Sequence, residues 1–194
     1  GSGLMSITLT TLRSQVRDMA DLDVTDLSDT LIDQFAREGF QRIYALERRW
    51  PILQETYTFN TVADQREYTI STIGDIREII SVVDTSTQGA RLTLIDYNQA
   101  EETWLGNLDV ASRPYYYSFW DKKLQLWAKP DIVYPMTVRA FRNPVYTWLT
   151  DVSEEIDLDE WFHAILPYFV LARVYQRQED SDLSGMHMKS FEEG

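Results

Sequence analysis

Acidic side chains at close spacing are the first candidates for chemistry in this chain of 194 residues. Glycosidases place two carboxyl groups on either side of the bond that they cleave. The segment DVSEEIDLDE holds Glu154, Glu155, Asp157 and Asp159 close together. Because the chain has 31 acidic residues, acids at such spacing arise from composition alone, and a solvated surface is the simpler interpretation.

One of the two histidines raises the question of a metal site. Glu160 and His163 lie three residues apart, a spacing that places both on one face of a helix. A di-metal bundle needs a second Glu-x-x-His motif and further glutamates, and the sequence has no second copy. We therefore predict no metal, and we expect Asp157 and Glu160 to form a capping box at the start of the helix.

Motifs of the common enzyme classes are missing from the sequence. It contains no phosphate-binding loop, no dinucleotide-binding glycine pattern, no nucleophile elbow and no His-Glu-x-x-His zinc motif. It also contains no cysteine, which excludes disulfides and thiolate metal sites. We predict that the protein is not an enzyme and uses no cofactor.

Large aromatic rings in the stretch RPYYYSFWDKKLQLWAKPD, residues 113–131, predict a different kind of site. The alternation predicts a β-hairpin in which Tyr117 and Leu124 lie on a core face. The opposite face carries Tyr116, Trp120 and Trp127. Three such rings expose about 450–750 Å², more than the largest apolar patch of an ordinary monomer.

The sequence leaves open what covers these rings. The candidates are another part of the same chain, a second copy, a different protein, or a ligand such as a sugar that stacks on aromatic platforms. A short helix predicted over 96–105 lies just before the hairpin.

The overall charge argues against tight binding of nucleic acids. Eighteen basic and 31 acidic residues give a net charge of −13. Such a surface repels a phosphate backbone, although DNA can slide past an acidic wall without sticking to it. No apolar run is long enough to cross a bilayer, so we predict no membrane partner.

The order of the predicted elements indicates an α+β fold. Helical periodicity marks both ends of the chain, with one helix capped by Asp26 or Ser28, and alternating patterns mark the middle. We predict that the N- and C-terminal helices pack as a bundle, formed by residues 5–50 and 155–194. Residues 51–150 form an inserted β-rich domain, a central antiparallel unit that is a small sheet or a sandwich.

Several stretches, taken in order, resemble one known family. These are TLRSQVRDMADLD with LSDTLIDQFAREGFQRIYALERRWP, then TYTFNTVADQREYTI with DIREIISVV, then RPYYYSFWDKKLQLWAKPD and IDLDEWFHAILPYFVLARVYQRQED. They are similar to the opening helices, the strands, the Pro-Tyr hairpin and the closing helix of tailed-bacteriophage head-to-tail adaptors, also called connector or head-completion proteins.

The resemblance implies a virion structural protein that forms a ring, most simply of twelve subunits, below the portal. The ring would extend the DNA channel and provide the platform for tail attachment. Its partners would be the portal ring, neighbouring copies, a tail or nozzle protein, and double-stranded DNA that passes without specific binding. The protein would be located at the head–tail junction of the virion, after assembly in the cytoplasm of the bacterial host.

Within this interpretation, one face of the hairpin builds the subunit and the other contacts a neighbouring subunit through Tyr116, Trp120 and Trp127. The rival interpretation is a carbohydrate-binding or cell-wall-degrading domain that uses the same rings with a carboxylate pair.

Two further groups of residues receive roles in the adaptor interpretation. Arg173 and Arg177, with the segment after Asp180, are assigned to the portal. Three acidic residues are assigned to the channel wall, with a solvated linker as the simpler alternative: Glu154, Glu155 and Asp157.

Overall fold

The computed structural model describes residues 6–104, 110–177, 188, 189 and 191. Helices and sheets are both present, and the predicted α+β class is confirmed. The chain divides into two compact units, of which the first combines Gly1–Arg48 with Pro144–Gly194 and the second is Arg49–Asn143. We call them the helical unit and the β unit. In the described part of the chain, no helix is both long and apolar enough to cross a membrane.

Three helices from the two ends of the chain pack together in the helical unit. They are α1 (Leu9–Ala20), α2 (Asp29–Leu46) and α5 (Glu160–Arg177). Each helix buries an apolar stripe, and a short 3-10 turn at Thr147–Leu149 adds the fully buried Trp148. Phe40 of α2 packs against Trp148 with 5.2 Å between ring centroids.

A glycine allows α2 and α5 to approach closely. A Cβ atom at Gly39 would lie 2.7 Å from Cδ1 of Phe169 and 2.8 Å from Cδ1 of Leu166. Real side chains do not tolerate such distances, so a larger residue at this position requires the side chains of Phe169 and Leu166, or the two helices themselves, to shift.

Two sheets make up most of the β unit. Their strands are β1 (Gln54–Asn60), β2 (Glu67–Thr69), β3 (Ile76–Asp84), β4 (Thr93–Leu94), β5 (Tyr116–Trp120), β6 (Lys123–Trp127) and β7 (Pro135–Arg142). The first sheet has the strand order β1-β7-β3, and all its pairs are antiparallel. The second has the order β2-β6-β5-β4, in which β4 pairs with β5 in parallel and thereby departs from the antiparallel prediction.

One hydrophobic core joins the two sheets. It contains Val82 and Val138 from the first sheet and Leu124 and Leu126 from the second. Two helices belong to this unit as well, α3 (Ile70–Ile73) and α4 (Tyr97–Trp104), and a 3-10 turn at Pro51–Leu53 leads into β1.

Candidate assembly surface

The predicted hairpin is formed by β5 and β6, joined by a two-residue turn at Asp121 and Lys122. Trp120 pairs with Lys123, and the two turn residues have φ angles of 48° and 59°. Positive φ at both central positions is the geometry of a type I′ turn, which matches the twist of the flanking strands. The turn therefore fixes the register that sends alternate rings to opposite faces.

The first face of the hairpin is a core face, as its pattern predicts. Tyr117 is 3% exposed, and Leu124 and Leu126 are completely buried. Burial raises the pKa of the Tyr117 hydroxyl above its ordinary value.

The second face is largely covered by α4, which belongs to the same chain. Tyr97 of α4 stacks on Trp120 with 4.9 Å between ring centroids and 19° between planes. Trp104 lies 5.4 Å from the ring of Tyr116 and 5.9 Å from that of Trp127. The expectation that Trp127 is exposed to a neighbouring subunit is therefore wrong, because the side chain is only 2% exposed.

Polar contacts fix Trp127 beneath this helix. Its indole Nε1 donates to Oγ of Ser118 over 2.8 Å, and the guanidinium of Arg66 lies 4.7 Å above its ring. Gln125, on the same face, is 2% exposed and donates to Glu67 over 3.4 Å. Its Oε1 atom has no hydrogen-bond partner, so the face also contains one unsatisfied buried acceptor.

The rings that remain accessible are Trp120, which is 58% exposed, and Tyr116, which is 38% exposed. With the half-buried Tyr97 they form what we call the ring patch. Trp120 and Tyr116 together expose about 150–250 Å², which is no more than an ordinary surface patch. The exposed area is thus smaller than the sequence alone indicates, because α4 covers part of it.

The two arginines assigned to the portal have different surroundings. Arg173 donates from Nε to Oε2 of Glu38 over 3.0 Å, contacts the side chain of Gln176 at 2.8 Å, and lies 5.6 Å from the ring centroid of Phe35. It therefore links α5 to α2. Arg177, one turn later, is exposed, and the segment 178–187 lies outside the described residues.

The three acids assigned to the channel wall also differ from one another. Glu154 and Glu155 are exposed, whereas Asp157 is half-buried and its Oδ2 atom accepts from the backbone N–H of Val145 over 2.7 Å. The predicted capping box at Asp157 is wrong, because α5 begins at Glu160. Asp159 is the N-cap, and its Oδ1 atom accepts from the N–H of Trp161 over 3.2 Å.

His163 is a structural residue that joins two distant segments of the helical unit. It is 3% exposed, its Nδ1 atom accepts from the N–H of Ile7 over 3.3 Å, and its Nε2 atom donates to the carbonyl of Ile156 over 3.0 Å. Glu155 is the nearby carboxylate, with Oε1 at 3.8 Å from Nδ1. The described residues contain no cluster of three or more metal-ligating side chains.

A buried ion pair fixes the segment just before the hairpin to β3 of the same unit. The sequence does not predict it. Arg113 donates from Nε to Oδ2 of Asp84 over 2.9 Å, and Ser86 donates its backbone N–H to Oδ1 over 2.8 Å. Burial favours the neutral acid, but the hydrogen bonds from Ser86 and Arg113 outweigh it and lower the pKa of Asp84. Burial, followed by the hydrogen bond to Asp131, raises the pKa of the neighbouring Tyr134 to about 12.

Comparison with known proteins assigns the chain to a family. Residues 7–194 match the family model described as SU10 adaptor protein, a match that includes all five helices and all seven strands of the described structure. No curated protein matches the chain. The resemblance to phage head-to-tail adaptors is thereby confirmed, and the chain belongs to the SU10 adaptor family of phage adaptor proteins.

Proposed function

We propose that the protein is a ring-forming structural subunit, without enzymatic activity, that binds the portal of a tailed phage, extends its DNA channel and carries the tail. The observation that carries this proposal is the family match over residues 7–194, because an adaptor family implies contacts with portal and tail proteins. The proposed ring has twelve copies of this chain.

The ring patch supports a weak contact between neighbouring copies. At about 25 cal/mol per Å², the area of about 150–250 Å² that Trp120 and Tyr116 expose corresponds to about 4–6 kcal/mol before any costs. Association costs about 4–15 kcal/mol, so this patch does not hold a free dimer together. A portal that places copies side by side raises their effective concentration and makes the same contact sufficient.

Within this contact, Tyr116 and Trp120 are the residues that face a neighbouring copy. Trp127 supports them from below, because it packs against Trp104 of α4, which also contacts Tyr116. The Tyr97–Trp120 stack fixes the orientation of the exposed indole, so little side-chain entropy is lost when a neighbour covers it.

The helical unit is proposed to contact the portal through the exposed Arg177 and the segment that follows, with Arg173 in a supporting role between α5 and α2. Glu154, Glu155 and Asp157 are proposed to face passing DNA, the two glutamates with exposed side chains and Asp157 with a half-buried one. The net charge of −13 supports this arrangement, because a wall that repels phosphates lets DNA move without specific binding. The protein would then be found at the head–tail junction, after assembly in the host cytoplasm.

Mass measurements with and without portal test the proposal. We expect the purified protein to be a monomer or weak oligomer, and to join purified cognate portal rings with a stoichiometry of one copy per portal subunit. If the portal gains no mass at protein concentrations well above those in an infected cell, the proposed function is wrong.

One observation favours a second candidate function. The exposed indole of Trp120, held flat against Tyr97, has the geometry of an aromatic platform on which a sugar stacks. A carbohydrate-binding or cell-wall-degrading domain would bind glycans or cleave peptidoglycan, and Trp120→Ala would abolish that activity. Glycan binding together with absence of portal binding would favour this candidate over the adaptor ring.

A further inference from the structure

In the helical unit, the segment just before α1 is attached to the linker that precedes α5. Thr8 and Glu155 form an isolated antiparallel bridge, and the N–H of Ile156 donates to the carbonyl of Ile7 over 3.0 Å. The buried ring of His163 binds both chains, because its Nδ1 atom accepts from the N–H of Ile7 over 3.3 Å and its Nε2 atom donates to the carbonyl of Ile156 over 3.0 Å. We call these five residues the histidine clasp.

The two backbone partners determine the protonation state of the ring. A backbone N–H only donates and a carbonyl only accepts, so Nδ1 carries a lone pair and Nε2 carries the hydrogen. The histidine clasp therefore requires a neutral imidazole. When His163 takes up a second proton, Nδ1 becomes a donor and faces the N–H of Ile7, which is a donor as well. The hydrogen bond between these two groups is then lost.

A carboxylate lies close enough to accept the new hydrogen. The distance from Oε1 of Glu155 to Nδ1 of His163 is 3.8 Å. A charge-assisted hydrogen bond between such groups measures about 2.7–2.9 Å, so the carboxylate has to approach by about 1 Å. The Glu155 side chain is 53% exposed, which leaves it room to move. The charged ring can thus exchange its contact with Ile7 for one with Glu155.

A pocket beside the ring gives the proton a path from solvent. The pocket has a volume of about 480 Å³, lies between α1 and α5, and is lined by His163 together with the titratable side chains of Asp18, Glu160 and Tyr168. Among the described residues that line it, none is a lysine or an arginine. Residues 6–8, which also pack against the ring, contain no titratable side chain. Because Asp18 and Glu160 are exposed, water reaches the pocket.

The start of α1 has further attachments that do not involve the ring. The N–H of Leu12 donates to the carbonyl of Thr8 over 2.9 Å, within the first turn of the helix. The hydroxyl of Thr10 donates to the carbonyl of Val152 over 3.1 Å. None of these groups titrates near neutral pH, so they keep α1 in place when the contact between Ile7 and the ring is lost.

We propose that the histidine clasp is an acid-sensitive latch, in which proton uptake by His163 moves the ring from Ile7 to Glu155 and loosens the segment that precedes α1. The latch is closed while the ring is neutral, and it opens as the pH falls. The inference is independent of the proposed function, because every group in it belongs to a single copy of the chain.

Nuclear magnetic resonance of the complete chain tests the latch directly. The nitrogen chemical shifts of the His163 ring should show a hydrogen on Nε2 alone at neutral pH and on both nitrogens in acid. Over the same pH range, exchange of the Ile7 amide, corrected for intrinsic rates, should become about tenfold faster or more relative to that of Leu12. The two changes should have the same midpoint.

A matched pair of variants tests the role of the carboxylate. Glu155→Gln removes the charge that pairs with the protonated ring, so the midpoint should move to lower pH by about half a unit. Glu154→Gln removes the neighbouring exposed charge and should leave the midpoint close to that of the wild type. His163→Gln does not titrate, and exchange of Ile7 relative to Leu12 should no longer change with pH. If His163→Gln does not fold, the two glutamate variants decide.

Three results would overturn the inference. In the first, the His163 ring stays neutral down to the pH at which the helical unit unfolds. In the second, the ring takes up its proton while the Ile7 amide remains as protected, relative to Leu12, as at neutral pH. In the third, Glu155→Gln and Glu154→Gln shift the midpoint equally, which shows that the overall charge and not the contact with Glu155 acts on the ring.

Discussion

Replacement of Asp84 by asparagine should destabilise the β unit strongly. The Asp84 side chain is 1% exposed, and it accepts hydrogen bonds from Arg113 and Ser86. Asparagine keeps the shape but leaves the guanidinium of Arg113 without its counter-charge. Breaking a buried ion pair from one side costs about 3–5 kcal/mol, and the partial exposure of Arg113 moves the expected loss toward the lower end of that range.

The stability lost in Asp84→Asn should be smaller in acid than at neutral pH. The folded-state pKa of Asp84 is lowered, so its contribution is complete above the unfolded-state pKa of about 3.9 and disappears as the pH falls through the folded-state value. The wild type and Asp84→Asn should therefore differ most near neutral pH and converge in acid, below about pH 4.

The assay is amide exchange at Val83 and Val138, whose backbone groups are directed into the sheet β1-β7-β3 of the β unit, measured at several pH values and corrected for intrinsic exchange rates. The matched control is Glu78→Gln on the same strand, which removes a solvent-exposed pair with Arg49. That change should cost at most about 1 kcal/mol. If Asp84→Asn is no more destabilising than the control, or if its effect does not fall in acid, our account of the buried pair is refuted.

Three further predictions concern the turn, the buried histidine and the ring patch. Lys122→Gly should stabilise the protein by about 1 kcal/mol in urea unfolding, since glycine adopts positive φ without strain, and Lys122→Ala should show no gain. His163→Ala should destabilise the helical unit by about 1–3 kcal/mol, because it leaves the buried backbone N–H of Ile7 without a partner and removes one of the two hydrogen bonds at the carbonyl of Ile156; unchanged exchange protection in α1 would contradict this. Trp120→Ala should leave the melting temperature within a few degrees of the wild type and weaken ring formation on the portal. Trp127→Ala should instead lower stability by about 3–5 kcal/mol, and equal effects of the two changes would be inconsistent with the different burial of these side chains.

The elements with a strong local signal could be predicted from the sequence. The helix α2 and the hairpin each bury one face. The spacing of their apolar residues along the sequence therefore shows the helical or the strand repeat directly. Arrangements made by distant parts of the chain could not be predicted in this way. The parallel pairing of β4 with β5 involves only two residues per strand, and no local pattern marks it.

The burial of Trp127 shows what the alternation of residues does not predict at the candidate assembly surface. Alternation assigns a side chain to a face of the hairpin but does not say what lies over that face. A signal was present in α4, where Tyr97 and Trp104 are seven residues apart and therefore lie on one side of the helix. Two large rings on one face of a short helix beside an aromatic hairpin indicate that the helix packs on the hairpin.

The linker before α5 shows a second limit. Asp157 and Asp159 are both good N-cap residues, and the sequence does not distinguish between them. The structure assigns the cap to Asp159, because the carboxylate of Asp157 is engaged by the N–H of Val145, twelve residues away in the chain.

Electron cryomicroscopy of cognate portal rings mixed with this protein tests the adaptor account most directly. We expect a closed ring with one copy per portal subunit, in which Trp120 and Tyr116 lie at the boundary between neighbouring copies and Trp127 remains beneath α4. Portal rings without added density, or bound copies whose Trp120 faces solvent, would contradict the account.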